Sequence, residues 1–121
     1  RYAAGPPGRR FKYHRMPKTV ALVWQEWKHG SHGNPAIEAL EKRYNTTWRM
    51  GSLQERTYAS NYVGVRQKIV RKVEEMCEGE GMSVEEACEK LDERIDGRMQ
   101  LLMTALRKGE DPLMVISKRR R

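Results

Sequence analysis

Thr57, Ser60, Asn61, Gly64, Gln67, Lys68 and Arg71 recur at intervals of three and four, and no acidic residue interrupts the run from Arg56 to Val73. Projected as a helix at about 100° per residue, with Tyr62, Ile69 and Val73 facing inward, these seven positions form the opposite face. Asn and Gln side chains pair bidentately with adenine, Lys reaches guanine, and Ser or Thr take either role, so the face holds the chemistry that reads base edges. Gly64 costs the helix roughly 1 kcal/mol relative to Ala, yet leaves clearance where a duplex would approach. The plainer reading of the stripe is an ordinary solvated face. Arg66 falls near the apolar side of the projection, so it ranks below Lys68 and is expected to snorkel outward to a phosphate.

Other chemistry is poorly represented. His29 and His32 with Cys77 and Cys88 have the ligand types for zinc, but neither pair has zinc-finger spacing and the four positions fall on separate elements. Packed cysteines and exposed turn histidines are the better reading. His14 has no visible partner in the sequence. No phosphate-binding glycine loop, nucleophile elbow or isolated carboxylate pair is present, and Glu74, Glu75, Glu85 and Glu86 lie in charge-rich runs, so the sequence does not read as an enzyme. No cofactor, metal or small-molecule substrate is expected.

The elements that must position the stripe are helical. Val20, Val23, Trp24 and Trp27 share one face of a helix that Thr19 caps and that Gly30 and Gly33 stop. Asn34 is read as the N-cap of a second helix with Pro35 at its first position. Ile37, Leu40 and Tyr44 then face inward and Asn45 ends the helix. Trp24, Trp27 and Trp48 are expected in the core. Ser52 and Glu55 have the spacing of a capping box, which starts the stripe's helix at Leu53; its apolar positions become regular only from Ala59, so a start near Ser60 remains open. A second capping box, Ser83 with Glu86, opens what reads as one long helix from Val84 to Lys108, closed by Gly109. Leu113 to Ile116 follow Asp111 and Pro112 as a short strand or tail.

Taken together, Trp24, Glu26, Trp27, Gly30, Gly33, Pro35, Ile37, Leu40, Glu41, Tyr44, Thr47, Trp48 and Arg49 resemble the DNA-binding domain at the C-terminal end of fungal glycolytic-gene activators. Regulators of osmotic stress and filamentous growth share that pattern. The resemblance covers roughly residues 17–76. Where the family usually has a paired basic dipeptide before the last helix's Ile, this chain has Val65, Arg66, Gln67, Lys68 and Ile69. The resemblance implies a nuclear transcription regulator with double-stranded DNA as partner, reading a short pyrimidine-rich box with a CTTCC-like core. On that reading the third helix enters the major groove. Asn61, Gln67, Lys68 and Arg71 approach bases or adjoining phosphates, Thr57, Ser60 and Gly64 share their face, and Arg49, Arg56 and Tyr58 hold the backbone.

Charge agrees with a polyanionic partner for one half only. Residues 1–72 hold 15 basic and 4 acidic side chains, residues 73–116 hold 5 and 12, and the whole 121-residue chain carries a net charge of +8. The organisation expected is a basic flexible arm (1–18), a helical head (19–78), an acidic packing or dimerisation segment (79–116) and a basic tail (117–121). The arm, with Tyr2, Phe11 and Tyr13 among its basic residues, is either a groove-lying extension or a solvated tail. Two cysteines and no signal-peptide hydrophobic region point to a reduced compartment, and the longest apolar run is too short for a membrane span. The fold class is all-α: a three-helix, helix-turn-helix-like head with an appended long C-terminal helix forming a helical hairpin.

Val84, Ala87, Cys88, Leu91, Ile95, Met99, Leu102 and Leu106 make one apolar stripe, widened by Leu101 and Met103 at its end. Either Leu113 to Ile116 fold back to cover that end or a symmetry mate does so in a homodimer. Two other readings stand beside DNA recognition. One is a helical protein-interaction module whose acidic half binds a partner; the other is the DNA-binding appendage of a mobile-element recombinase.

Overall fold

Thr19, Ser52 and Ser83 each stand where a hydroxyl meets an unpaired amide of a first helical turn, and each starts a helix. The computed structural model describes residues 11–45, 49 and 52–117. Within these lie α1 (Val20–Lys28), α2 (Ile37–Tyr44), α3 (Leu53–Glu80), α4 (Val84–Ile95), α5 (Met99–Arg107) and α6 (Pro112–Val115), with no strand among the described residues. The fold is all-α. Trp48, Thr47, the arm's first ten residues and the basic cluster Lys118 to Arg121 lie outside the described residues.

Helix α1 is fixed at both ends. Thr19 Oγ1 accepts from the Leu22 amide, while the amides of Val20 and Ala21 donate to the Asp92 carboxylate on α4. At the other end the His29 and Gly30 amides share the Gln25 carbonyl. Gly30 has φ +90°, and a Cβ there would sit 2.3 Å from the Asn34 carbonyl oxygen, so only glycine fits.

Asn34 does not cap α2, contrary to the sequence reading. Its side-chain amide donates to the Lys12 carbonyl at 2.7 Å and its Oδ1 accepts from the Lys12 amide at 3.0 Å. Ala36 takes the N-cap position without a side-chain bond. A two-bond pairing with a distant extended backbone competes successfully with one local cap, and nothing in the flanking residues announces it. Ile37 and Leu40 are buried, Tyr44 is half-buried, and Asn45 ends the helix with φ +58°.

Helix α3 begins at Leu53. The Glu55 amide donates to Ser52 Oγ, and the Ser52 amide donates to Glu55 Oε1 at 2.8 Å, closing the box. Every residue from Ser52 to Tyr58 is exposed, and burial starts at Ala59. The apolar rhythm is silent from Leu53 to Tyr58 because those residues face solvent.

The expected single helix from Val84 to Lys108 is two helices. Asp96 and Gly97 adopt φ +48° and +82°, so α4 stops at Ile95 and α5 leaves in a new direction. The Arg98 side chain then satisfies carbonyls freed at that break, donating to those of Ile95 and Arg94. The apolar stripe hid the interruption because Ile95 and Met99 keep helical spacing across it. Likewise, Pro112–Val115 is a helical turn rather than a strand, started by Asp111 Oδ1 accepting from the Leu113 amide. Arg94 Nη1 clamps it by donating to the carbonyls of Leu113 and Ile116, and the Ile116 side chain is buried. The fold-back thus covers part of the widened apolar end within one chain.

One hydrophobic cluster runs through all of this, from Phe11, Val23 and Trp27 through Ile69 and Val73 to Leu91, Leu102 and Ile116. The head and the acidic segment therefore share a core. Residues from Phe11 onward are not a free arm, as the sequence suggested: Phe11 is buried, and the Phe11 and Tyr13 rings meet Tyr62 edge-on with centroids 5.9 and 4.9 Å apart. The arm reading failed there because two aromatic residues are too few to show a period, and their partner Tyr62 lies far along the chain.

Candidate nucleic-acid interface

The back of α3 is organised by a buried ion pair. Arg66 Nε donates to Glu26 Oε1 at 2.5 Å, and Tyr62 Oη donates to Glu26 Oε2 at 2.7 Å. The guanidinium lies over the Tyr62 ring, 3.4 Å from its centroid, and Nη2 reaches the carbonyls of His14 and Arg15. Both Glu26 and Arg66 are 3% exposed. Burial first, and the bond to Glu26 second, hold the Tyr62 phenol far above its usual pKa, so it stays a donor.

Arg66 therefore does not snorkel to a phosphate. A buried carboxylate must be paired, and Arg66 is the cation that pairs it. Glu26 was missed as a structural residue, although the sequence held a signal. It is a charge between Val23 and Trp27 on an apolar helix face, and Arg66 is a charge on the apolar side of α3. Two misplaced opposite charges on facing stripes predict each other.

With its back fixed, α3 turns its other side outward. Thr57, Ser60, Asn61, Lys68 and Arg71 are exposed, and Gly64 and Gln67 are half-buried. A Cβ added at Gly64 would meet nothing within 4 Å. Arg56 is exposed, and Tyr58 is 55% exposed with its ring against Tyr13 at 5.3 Å. The stripe expected from periodicity is thus brought onto one surface.

Its flanks differ. Gln67 and Arg71 border a groove of about 350 Å³ between α2 and α3, which Glu38, Glu41 and Glu74 also line. Lys28 neutralises part of that acid, lying 2.8 Å from Glu38 and 3.6 Å from Glu74. Arg49, expected on the DNA backbone, is turned inward: Nη2 pairs with Glu41 at 2.8 Å and Nη1 donates to Ser60 Oγ at 3.2 Å. Beyond Lys72 the helix becomes acidic through Glu74, Glu75, Glu78 and Glu80. The basic surface has a sharp edge one turn past Arg71.

Among the described residues no three His, Cys, Asp or Glu side chains converge as metal ligands, and no helix is long and apolar enough to cross a membrane. Cys77 and Cys88 are free thiols.

A sequence profile for transcriptional activators of glycolytic enzymes matches residues 11–94. The chain belongs to this family. The matched stretch begins at Phe11, which packs against Tyr62, and runs to Arg94 in α4. Protein MSN1 of Saccharomyces cerevisiae is 33% identical over 55 residues, covering 46% of this chain and 14% of that protein. The chain therefore corresponds to a small part of that relative's length. No solved structure matches the chain. The family is described as one of transcriptional activators, which are not a class of enzyme.

Proposed function

We propose that the chain binds duplex DNA sequence-specifically, with α3 in the major groove, as part of a nuclear transcription regulator. The observation that carries this reading is the exposed start of α3: every residue from Leu53 to Tyr58 faces solvent, and an acid-free polar stripe continues from there to Arg71. An α-helix with side chains is about 10–12 Å across and the major groove is about 12 Å wide, so one exposed helix fits. In the helix-turn-helix class the recognition helix presents its N-terminal residues to the bases, and here that end is the free one.

Within that geometry Asn61 and Gln67 hydrogen-bond adenine edges, Lys68 reaches guanine, and Thr57 and Ser60 add adaptable contacts beside the clearance at Gly64. Arg56, Tyr58 and Arg71 hold phosphates. Arg49, already engaged by Glu41, serves by orienting Ser60. The site is a short box with a CTTCC-like core. Self-association through the C-terminal helices draws support from the exposure of Leu101 (36%), Met114 (80%) and Val115 (49%).

The test is a titration of this chain with a CTTCC-box duplex and a scrambled duplex across a salt series. Specific recognition gives a strong preference for the box at every salt, superimposed on a shared counterion-release slope. Equal affinity for both duplexes throughout overturns the proposal and leaves the protein-interaction reading, in which the acidic half binds the partner.

A further inference from the structure

The acid-free stripe of α3 starts with a residue that its polar chemistry does not explain. Leu53 is the first helical residue and is 73% exposed. It lies on the same face as Thr57, Asn61, Gly64, Lys68 and Arg71, at offsets of four, eight, eleven, fifteen and eighteen from itself. Eleven residues are about three turns, so Leu53 stands almost in line with Gly64, roughly 16 Å further toward the helix N-terminus. The Ser52–Glu55 box holds it there by fixing the first turn. Among the described residues no core contact claims it: burial on α3 begins only at Ala59.

A single exposed leucine is ordinary on a protein surface. This one sits at the free end of the helix face that the proposed function places in the major groove, where the one apolar group offered by the base pairs is the thymine C5-methyl. A branched aliphatic side chain cannot hydrogen-bond a base edge or a phosphate. It can bury a methyl.

Resting on the DNA-binding reading, we infer that Leu53 is a specificity-determining residue that contacts a thymine C5-methyl group. The contact adds discrimination between thymine and every base lacking that methyl, without a charge and without salt dependence.

Replacing thymine by deoxyuridine removes the methyl and leaves the Watson–Crick pairing intact. The experiment titrates this chain and Leu53→Ala with three kinds of duplex: the CTTCC box, the same box with deoxyuridine at each thymine in turn, and a scrambled control. Wild type should lose about fourfold in affinity at one thymine, the value expected for one buried methyl-sized group. Leu53→Ala should bind the thymine duplex more weakly and show no difference between thymine and deoxyuridine. Because Leu53 is exposed and Ala favours helix, an unchanged thermal melting curve verifies that the variant is folded. Equal wild-type affinity for thymine and deoxyuridine duplexes overturns the assignment, as does a deoxyuridine effect that persists in Leu53→Ala. Either result leaves DNA recognition standing if the scrambled duplex still binds more weakly. Loss of preference over the scrambled duplex in wild type overturns both.

Discussion

Arg66 and Glu26 form an ion pair with both side chains sealed from solvent, 40 positions apart in the chain. Removing one charge strands the other. Arg66→Met should destabilise the fold by about 3–5 kcal/mol, whereas Glu26→Gln combined with Arg66→Met should recover much of that loss. Urea denaturation of the three proteins checks this. A single variant as stable as wild type would mean the pair is solvated in solution.

Base contacts and phosphate contacts separate by their salt dependence. Asn61→Ala should relax discrimination at one base position by about 1–3 kcal/mol and leave the salt slope unchanged. Arg56→Ala should weaken all duplexes alike and lower the slope by roughly one unit. Binding isotherms at several salt concentrations distinguish them. If Asn61→Ala keeps full discrimination, another face of the protein reads the bases.

Gly64 separates stability from function. With open space at its Cβ position, Gly64→Leu should stabilise the isolated protein by about 0.5–1 kcal/mol through helix propensity. The same side chain should obstruct the groove and reduce DNA affinity. Thermal melting and a binding titration on one preparation test both, and improved stability with unchanged affinity would remove the clearance role.

The two thiols should differ in reactivity. Cys88 is 4% exposed, and burial, with Asp92 and Cys77 adding to it, pushes its thiol up to about 11. Its reactive thiolate therefore becomes abundant only well above neutral pH. Cys77 is half-buried. Iodoacetamide near neutral pH should modify Cys77 alone in the native protein and both residues in urea, as read by mass spectrometry. Rapid native labelling of Cys88 would show that α4 opens easily from α3.

Self-association turns on the surface around Leu101. A dimer through α5 and α6 predicts a doubled mass at micromolar concentration that Leu101→Asp reduces to one chain. Sedimentation equilibrium measures it. Monomer mass in both proteins, with equal stability, rules the dimer out and leaves the fold-back of Pro112–Val115 as the whole cover.

What the sequence determined by itself was what neighbouring residues decide between themselves. The cap of α1 and the two capping boxes are interactions across three residues, and Thr19, Ser52 with Glu55 and Ser83 with Glu86 all make them. The outward stripe from Thr57 to Arg71 was readable for the same reason: helical periodicity carries the face of a helix within its own sequence. Tertiary structure decided the features whose partners lie far along the chain. Asn34 had a local use as a cap and took a two-bond partner at Lys12, 22 positions away. Arg66 looked free to reach a phosphate until Glu26 arrived on α1, and Asp92 had no evident task until the start of α1 was laid against it. Asp96 and Gly97 permit a turn that an unbroken apolar rhythm conceals, and it is taken because α5 then packs against α3. A chain can be read for local hydrogen bonds and periodicity because their geometry is set by covalent spacing; burial and charge pairing are set by which surfaces meet, and only the folded arrangement chooses those.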